Sequence, residues 1–417
     1  MPDLPLPPEV GAALQALRPV FHAASWESFL YLITGLLLGH AQPGIVRASL
    51  LAPRGYNWRR LHDLLRRNRW DGVALMVRWT GVVLSLLYPQ GYPPHLFWVL
   101  DGTYLEKRYA QVIDEIKDHY RPHPKAGQSR HLKGHGVLMV AHLYEQMPHR
   151  FRALLLGGLL YVKEATWVDL GQQRIAVLPF PQEAHNVIVV DRGLMALKLV
   201  KTLEAHHLYA LGRVKANATF YLPATEADYK GRGRKPTYGQ KFRADAAPKA
   251  LMERSDMPIP VDGKMYDGVV YRGPFLRRGL KHPVELIRVE VGDWPPWLLM
   301  PTDPSLSTDQ AIWAYYGRSQ IEVAIADGKV LGLAQYRGRR SAGIRRWPMV
   351  IGVVHSLLQL MAVGALKVSL PRQGWPWYRK ETTVGATRRR LVDWVLRHHF
   401  SHLFPAEPNP EEIDRAA

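Results

Sequence analysis

Asn186-Val-Ile-Val-Val-Asp-Arg-Gly193 places four consecutive β-branched residues before an acid and a glycine-ended turn. An unbroken apolar run of this kind reads as a strand buried on both faces, which is how parallel sheets sit inside α/β proteins. A helical pattern over residues 194–204 follows, and then the strand-like His207-Leu-Tyr-Ala-Leu-Gly-Arg213. The strand–helix–strand rhythm predicts an α/β core with a mixed or parallel sheet. Upstream, Leu96-Phe-Trp-Val-Leu100 reads as a short strand ending in Asp101-Gly-Thr-Tyr104, and residues 136–141 and 151–162 carry further strand-like runs. The polar stretch 105–134 reads as a surface connection.

The flanks differ from this core. Residues 1–92 read as helical and residues 93–215 as the first part of the core. A β-rich insertion covers 216–303, the second part of the core 304–365, and a helical region with an acidic tail 366–417. In the first region, Tyr56-Asn-Trp-Arg-Arg-Leu-His-Asp-Leu-Leu-Arg-Arg-Asn-Arg-Trp70 turns Trp58, Leu61, Leu64 and Leu65 toward a core. That leaves Arg59, Arg60, Arg66, Arg67 and Arg69 outward, as a DNA-docking face or a solvated one. The insertion holds the basic loop 229–236 and the strand-like runs 284–291 and 297–300. The apolar stretch 347–363 is interrupted by His355 and Gln359, and it reads as a core helix starting near Pro348.

Composition narrows the partner. The 417 residues carry 55 Lys and Arg against 36 Asp and Glu, a formal charge of +19, which favours a polyanion. The sequence contains no cysteine, which excludes thiolate chemistry and leaves carboxylates and histidines as metal ligands. No basic segment followed by a signal-like apolar core opens the chain, so a cytoplasmic protein acting on the chromosome, with no membrane partner, is expected.

Chemistry concentrates in Ala311-Ile-Trp-Ala-Tyr-Tyr-Gly-Arg-Ser-Gln-Ile-Glu-Val-Ala-Ile-Ala-Asp-Gly-Lys329. Ser307 followed by Gln310 supplies a capping box for this helix. At about 100° per residue, Tyr315, Arg318, Glu322 and Lys329 fall within roughly 60° of one another. A guanidinium and an ammonium on that face suit a phosphate-rich partner. Asp101 and Asp191 at strand ends, with Glu322 on the helix, offer three hard oxygen donors for Mg²⁺ or Mn²⁺. Such ions in pairs, about 4 Å apart, promote phosphodiester cleavage. Each acid also fits a structural role: Asp101 an Asx turn, Asp191 a helix cap, Glu322 a partner for Arg318. Asp303 after an apolar run rivals Glu322 as the third ligand. Asp327-Gly328 before Lys329 offers an end for the helix, which would put Lys329 in a loop.

The spacing Tyr315-(2)-Arg318-(3)-Glu322-(6)-Lys329 resembles the signature of bacterial insertion-sequence transposases of the DDE type. Asp101 in Asp-Gly-Thr and Asp191 in Val-Val-Asp-Arg-Gly resemble the two aspartates upstream of it. The resemblance covers roughly residues 95–365. It implies an RNase H-like catalytic core interrupted by a β-rich insertion, with Asp101, Asp191 and Glu322 as catalytic residues holding two Mg²⁺. It further implies double-stranded DNA partners, namely terminal inverted repeats and a target, and a homodimer assembled on that DNA. Cleavage would free 3′-hydroxyls that then join the target. In relatives that use a hairpin, an aromatic residue of the insertion holds a flipped base; Trp294 and Trp297 are the residues for that role here, or else packing residues beside Pro295 and Pro296. Two other readings fit the residues: an RNase H-like nuclease without strand transfer, and a non-catalytic DNA-binding protein derived from a transposase.

Overall fold

In the computed structural model, the structure describes residues 4–39, 57, 59–107, 110, 112–120, 129–162, 164–229, 231, 233–371 and 383–399. Trp58, parts of the basic loop 229–236 and of the stretch 105–134, Phe400 and the acidic tail lie outside the described residues. The fold is mixed α/β, built on a ten-stranded sheet.

At its centre lies β1 (His95–Glu106), flanked by β3 (His131–Met147) and β5 (His185–Val190). The apolar residues at 96–100 and 187–190 are buried, as expected of strands covered on both faces. β1 runs further than the apolar run alone indicates. Its parallel ladder with β5 stops at Leu100–Val190, but its antiparallel ladder with β3 continues to Glu106. Asp101 therefore lies inside a strand, at the point where one neighbour departs.

β4 (Arg150–Leu160) completes a hairpin with β3, and the four-residue edge strand β2 (Lys117–Tyr120) pairs the start of β3. Residues 105–134 are thus partly sheet and not only a connection. β2 buries only His119, so no apolar run announces it. On the other side, β5 pairs β6 (Tyr209–Arg213) in parallel, with α5 (Trp167–Ile175) and α6 (Leu197–Ala205) in the connections before β5 and β6.

The expected insertion does not stand apart. β7 (Thr219–Pro223) and β8 (Tyr238–Arg243) form a separate two-stranded ribbon. In contrast, β9 (Glu253–Val261), β10 (Lys264–Phe275), β11 (Val284–Glu290) and β12 (Trp297–Pro301) extend the main sheet. β12 pairs β6 antiparallel, Leu299 opposite Arg213. It thereby covers an edge whose backbone groups would otherwise be unpaired. The order across the sheet is β2-β3-β1-β5-β6-β12-β11-β10-β9, with β4 also on β3.

The described part of residues 1–92 is helical up to β1: α1 (Pro8–Gln15), α2 (Ala23–Leu38), α3 (Arg59–Arg66) and α4 (Gly72–Leu87). On α3, Leu61, Leu64 and Leu65 are buried, while Arg59, Arg60 and Arg66, with Arg67 and Arg69 beyond it, are exposed. Further along, α7 (Thr308–Gly317) and α8 (Gln320–Val330) precede α9 (Ser341–Ala362), and α10 (Val384–His399) ends the described chain.

α9 is the central core helix. It begins seven residues before Pro348, which lies in its interior and there removes one N–H donor. Its backbone lies so close to β4 that a Cβ on Gly352 would fall 2.7 Å from the backbone of Leu156 and Gly157. Arg346 on α9 donates to the carbonyl oxygens of Leu65 and Trp70 at 2.9 and 2.6 Å, tying the end of α3 to the core. Among the described residues, no helix is long and apolar enough to cross a membrane.

Candidate active site

β1 and β5 set the positions of two acids. Leu100 and Val190 are their last paired residues, so Asp101 and Asp191 come next on adjacent parallel strands. A carboxylate there is held by the sheet and opens toward the end where the strands separate. The Asp101 carboxylate accepts from the Gly102 N–H at 2.8 Å, and Asp191 accepts from the Leu194 N–H at 2.9 Å. The second bond gives Asp191 a local turn role as well.

The third acid arrives on a helix with a break in it. The Ser307–Gln310 capping box is present, and α7 starts after it. Where one continuous helix over 311–329 was expected, α7 ends at Gly317 and α8 begins at Gln320. Arg318 and Ser319 keep right-handed dihedrals, but the N–H groups of Ile321 and Glu322 bond to the carbonyls of Arg318 and Ser319, three residues back. This is one tightened 3₁₀-type turn. Gly317 allows it to approach the sheet, since a Cβ there would meet the Phe151 ring at 2.7 Å. Beyond the turn, α8 continues to Val330, so Lys329 is an exposed residue of its last turn and not of a loop.

Arg318 links the parts. Its guanidinium lies 3.4 Å from the Asp101 carboxylate and 3.3 Å from that of Glu322. The side chains of Arg318 and Asp101 are 17% and 19% exposed, against 63% for Glu322, so one acid faces solvent across a half-enclosed pair. Burial pushes the Asp101 carboxyl up to about 6; Arg318 opposes this, and the nearby Asp191 and Glu322 add to it. For Arg318, burial disfavours the charge, but Asp101, Tyr315, Glu322 and Asp191 outweigh that and raise its pKa. Burial likewise raises the Tyr315 phenol, against the pull of Arg318 and Arg213. The guanidinium carbon sits 5.9 Å from the centre of the Tyr315 ring. Asp101, Asp191, Glu322, Arg318 and Tyr315 thus share one electrostatic neighbourhood.

The two tryptophans separate. Trp297 is half-buried on β12, edge-on to Tyr315 at 6.2 Å between ring centres. Trp294 is 45% exposed and packs its ring edge-on with Tyr266 at 4.9 Å. Asp303 takes no part in the carboxylate cluster. It is fully buried, 2.8 Å from His185 and 3.4 Å from His95, at the far ends of β5 and β1.

The three carboxylates near the Arg318 guanidinium form an oxygen-only donor set, and the charges of Asp191 and Glu322 raise the proton affinity of Asp101. That chemistry fits hard divalent cations such as Mg²⁺ or Mn²⁺. Among the described residues, only His95, His185 and Asp303 bring three candidate ligand atoms within 4.8 Å of one another; the Asp101, Asp191 and Glu322 oxygens do not meet that limit. The sequence reading missed the histidine cluster, although a histidine six residues before each aspartate was there to be seen. No protein-family profile matches the chain, and no curated protein sequence matches it.

Proposed function

We propose that this chain is a cut-and-paste DNA transposase of the DDE type, with Asp101, Asp191 and Glu322 as its catalytic acids. The observation that carries the reading is Arg318 bridging Asp101 and Glu322, with Asp191 in the same electrostatic neighbourhood, from positions far apart in sequence. The strand arrangement adds support. An antiparallel β4-β3-β1 set continued by parallel β5 and β6 is the layout expected of an RNase H-like core. In that layout the insertion between Asp191 and Glu322 supplies the β9–β12 extension of the sheet.

Asp101, Asp191 and Glu322 would hold two Mg²⁺, with Mn²⁺ as a substitute. When bound, the ions supply Lewis acidity that activates the attacking hydroxyl and offsets charge on the leaving oxygen. Arg318 would exchange its carboxylate contacts for a phosphate oxygen, orienting the scissile bond through a planar fork. Tyr315 packs beside that guanidinium and limits its swing. Lys329, two turns along α8, presents a point charge to the DNA backbone. Arg59, Arg60, Arg66 and Arg67 form a second, exposed phosphate-binding face on the helical region, a contact that fixes register without reading sequence. The DNA would carry terminal inverted repeats, and a homodimer would pair two such ends before the freed 3′-hydroxyls attack a target.

The experiment is cleavage of a labelled duplex carrying the inverted repeat that flanks the gene, with Mg²⁺, by wild type and by Asp101→Asn, Asp191→Asn and Glu322→Gln. Cleavage at the repeat end followed by joining to target DNA, lost in all three variants while DNA binding persists, is the expected result. Cleavage indifferent to the repeat and without joining would make the protein an RNase H-like nuclease. Binding with no cleavage under any divalent cation would make it a non-catalytic derivative.

A further inference from the structure

At the opposite ends of the strands that carry the two aspartates lies a second set of ligand atoms. His95 opens β1 six residues before Asp101, and His185 opens β5 six residues before Asp191; the two histidines are register partners. At about 3.3 Å per residue, six residues put this set roughly 20 Å from the carboxylate cluster. Asp303 comes from the segment that joins β12 to α7.

The geometry converges on one point. Asp303 Oδ2 lies 2.8 Å from His185 Nδ1 and 3.4 Å from His95 Nε2. Ser305 Oγ lies 3.1 Å from the same two ring nitrogens, and its hydroxyl donates to the other Asp303 oxygen at 2.7 Å. A tetrahedral Zn²⁺ with ligands at about 2.0–2.1 Å has ligand–ligand edges of roughly 3.3 Å, close to these separations. Asp303 is fully buried and the His95 side chain is 10% exposed, whereas His185 is 46% exposed and leaves an entry path. His95 Nδ1 is buried without a hydrogen-bond partner, so metal binding through Nε2 leaves an unpaired N–H there, a cost that the metal–nitrogen bond has to exceed.

We infer that His95, His185 and Asp303, with Ser305 beside an open position, form a binding site for a divalent transition cation, Zn²⁺ foremost. Two imidazoles and one carboxylate select borderline cations over Mg²⁺, which prefers oxygen. Both rings bind as neutral imidazoles; His95 keeps its proton on Nδ1 and His185 on Nε2. A cation held there also braces the fold. It ties the starts of β1 and β5 to the segment that leads through the Ser307 cap into α7 and α8, and so fixes the three elements that carry Asp101, Asp191 and Glu322. The inference does not depend on the chemistry at those acids.

The test uses the full-length chain carrying Asp101→Asn, Asp191→Asn and Glu322→Gln together, stripped of metal and titrated with Co²⁺. The expected result is one equivalent bound with the intense visible absorption of a low-symmetry four- or five-coordinate cobalt centre, displaced by Zn²⁺ and lost when His185→Ala is added. X-ray absorption of the Zn²⁺-loaded triple variant should count two imidazole ligands, which decides the matter even if the His185 variant folds poorly. Absence of stoichiometric binding, binding unaffected by His185→Ala, or a zinc shell without imidazole would each overturn the site and leave a closed hydrogen-bond cluster.

Discussion

The Arg318 guanidinium stands 3.4 Å from the Asp101 carboxylate and 3.3 Å from that of Glu322, so one cation occupies the space between two acids from distant parts of the chain. A cation placed there neutralises charge that a divalent ion would otherwise meet in full. Arg318→Ala should therefore tighten Mn²⁺ binding, by roughly tenfold at the effective dielectric of a half-buried site. The same change should lower cleavage about 100-fold or more through loss of an oriented phosphate donor. Calorimetric titration beside a cleavage assay separates the two effects. Weaker Mn²⁺ binding would mean that Arg318 positions the carboxylates and does not shield them.

Asp327 gives a stability effect of opposite sign to the usual carboxylate. Burial pushes its carboxyl up to about 6, above the ordinary unfolded value near ~3.9. A raised folded pKa means that the folded state holds the proton more tightly. The group's stabilising contribution is fully present below pH ~4 and is lost as pH rises through about 6. Asp327→Asn should be more stable than wild type at pH 8, with the advantage shrinking toward pH 4. Urea unfolding at both pH values checks this; equal differences at the two would show that Asp327 does not titrate in the fold.

Two buried histidines contribute to the acid limb. His142 on β3 and His355 on α9 are fully buried, and burial pulls both down to about 3. The Tyr88 hydroxyl lies 2.8 Å from His142 Nε2, and a backbone hydrogen bond at Phe97 only partly opposes the effect of burial. The unfolded chain takes up these protons first, near pH ~6.5. Their contribution is thus present above that pH and is lost as pH falls toward 3, at up to about 1.4 kcal/mol per pH unit for each group. His142→Gln should flatten the stability profile between pH 6 and 4. An unchanged slope in chemical denaturation would assign the acid limb elsewhere.

Gly352 tests how closely α9 must lie on the sheet. Its missing side chain leaves room for the backbone of Leu156 and Gly157, which a Cβ would approach to 2.7 Å. Neither neighbour is the end of a flexible side chain, so relief requires the helix to move. Gly352→Ala should destabilise by about 1–3 kcal/mol through overpacking, despite alanine's better helix propensity. A neutral or stabilising result in urea titration would show that α9 has slack against β4.

The two tryptophans should separate by phenotype. On the proposed function, exposed Trp294 would stack on an unpaired base, and a base–aromatic stack contributes about 1–3 kcal/mol. Trp294→Ala should weaken capture of a splayed end by roughly tenfold, read with a fluorescent base analogue at the terminal nucleotide. Trp297 supports Tyr315 from the side, so Trp297→Ala should slow cleavage and leave the analogue's signal unchanged. Reversal of the two phenotypes would exchange the roles.

The sequence alone determined which residues have to be inside and which chemistry is at hand. Apolar runs at 96–100 and 187–190 specify buried strands, because such runs are stable only out of water. The Ser307–Gln310 spacing specifies a helix start, because its hydrogen bonds are local. The tertiary structure decided what depends on neighbours. It runs β1 on past Asp101, since β3 keeps pairing after β5 stops, and it breaks the helix at Arg318, since Gly317 must pass the Phe151 ring. It joins the expected insertion to the main sheet through β12 and β6, a pairing between strands about 90 residues apart that no local pattern encodes. It also takes Asp303 away from the other acids and gives it to His95 and His185. Burial and register are properties of the assembled sheet, and they separate a carboxylate beside Arg318 from one locked between two histidines.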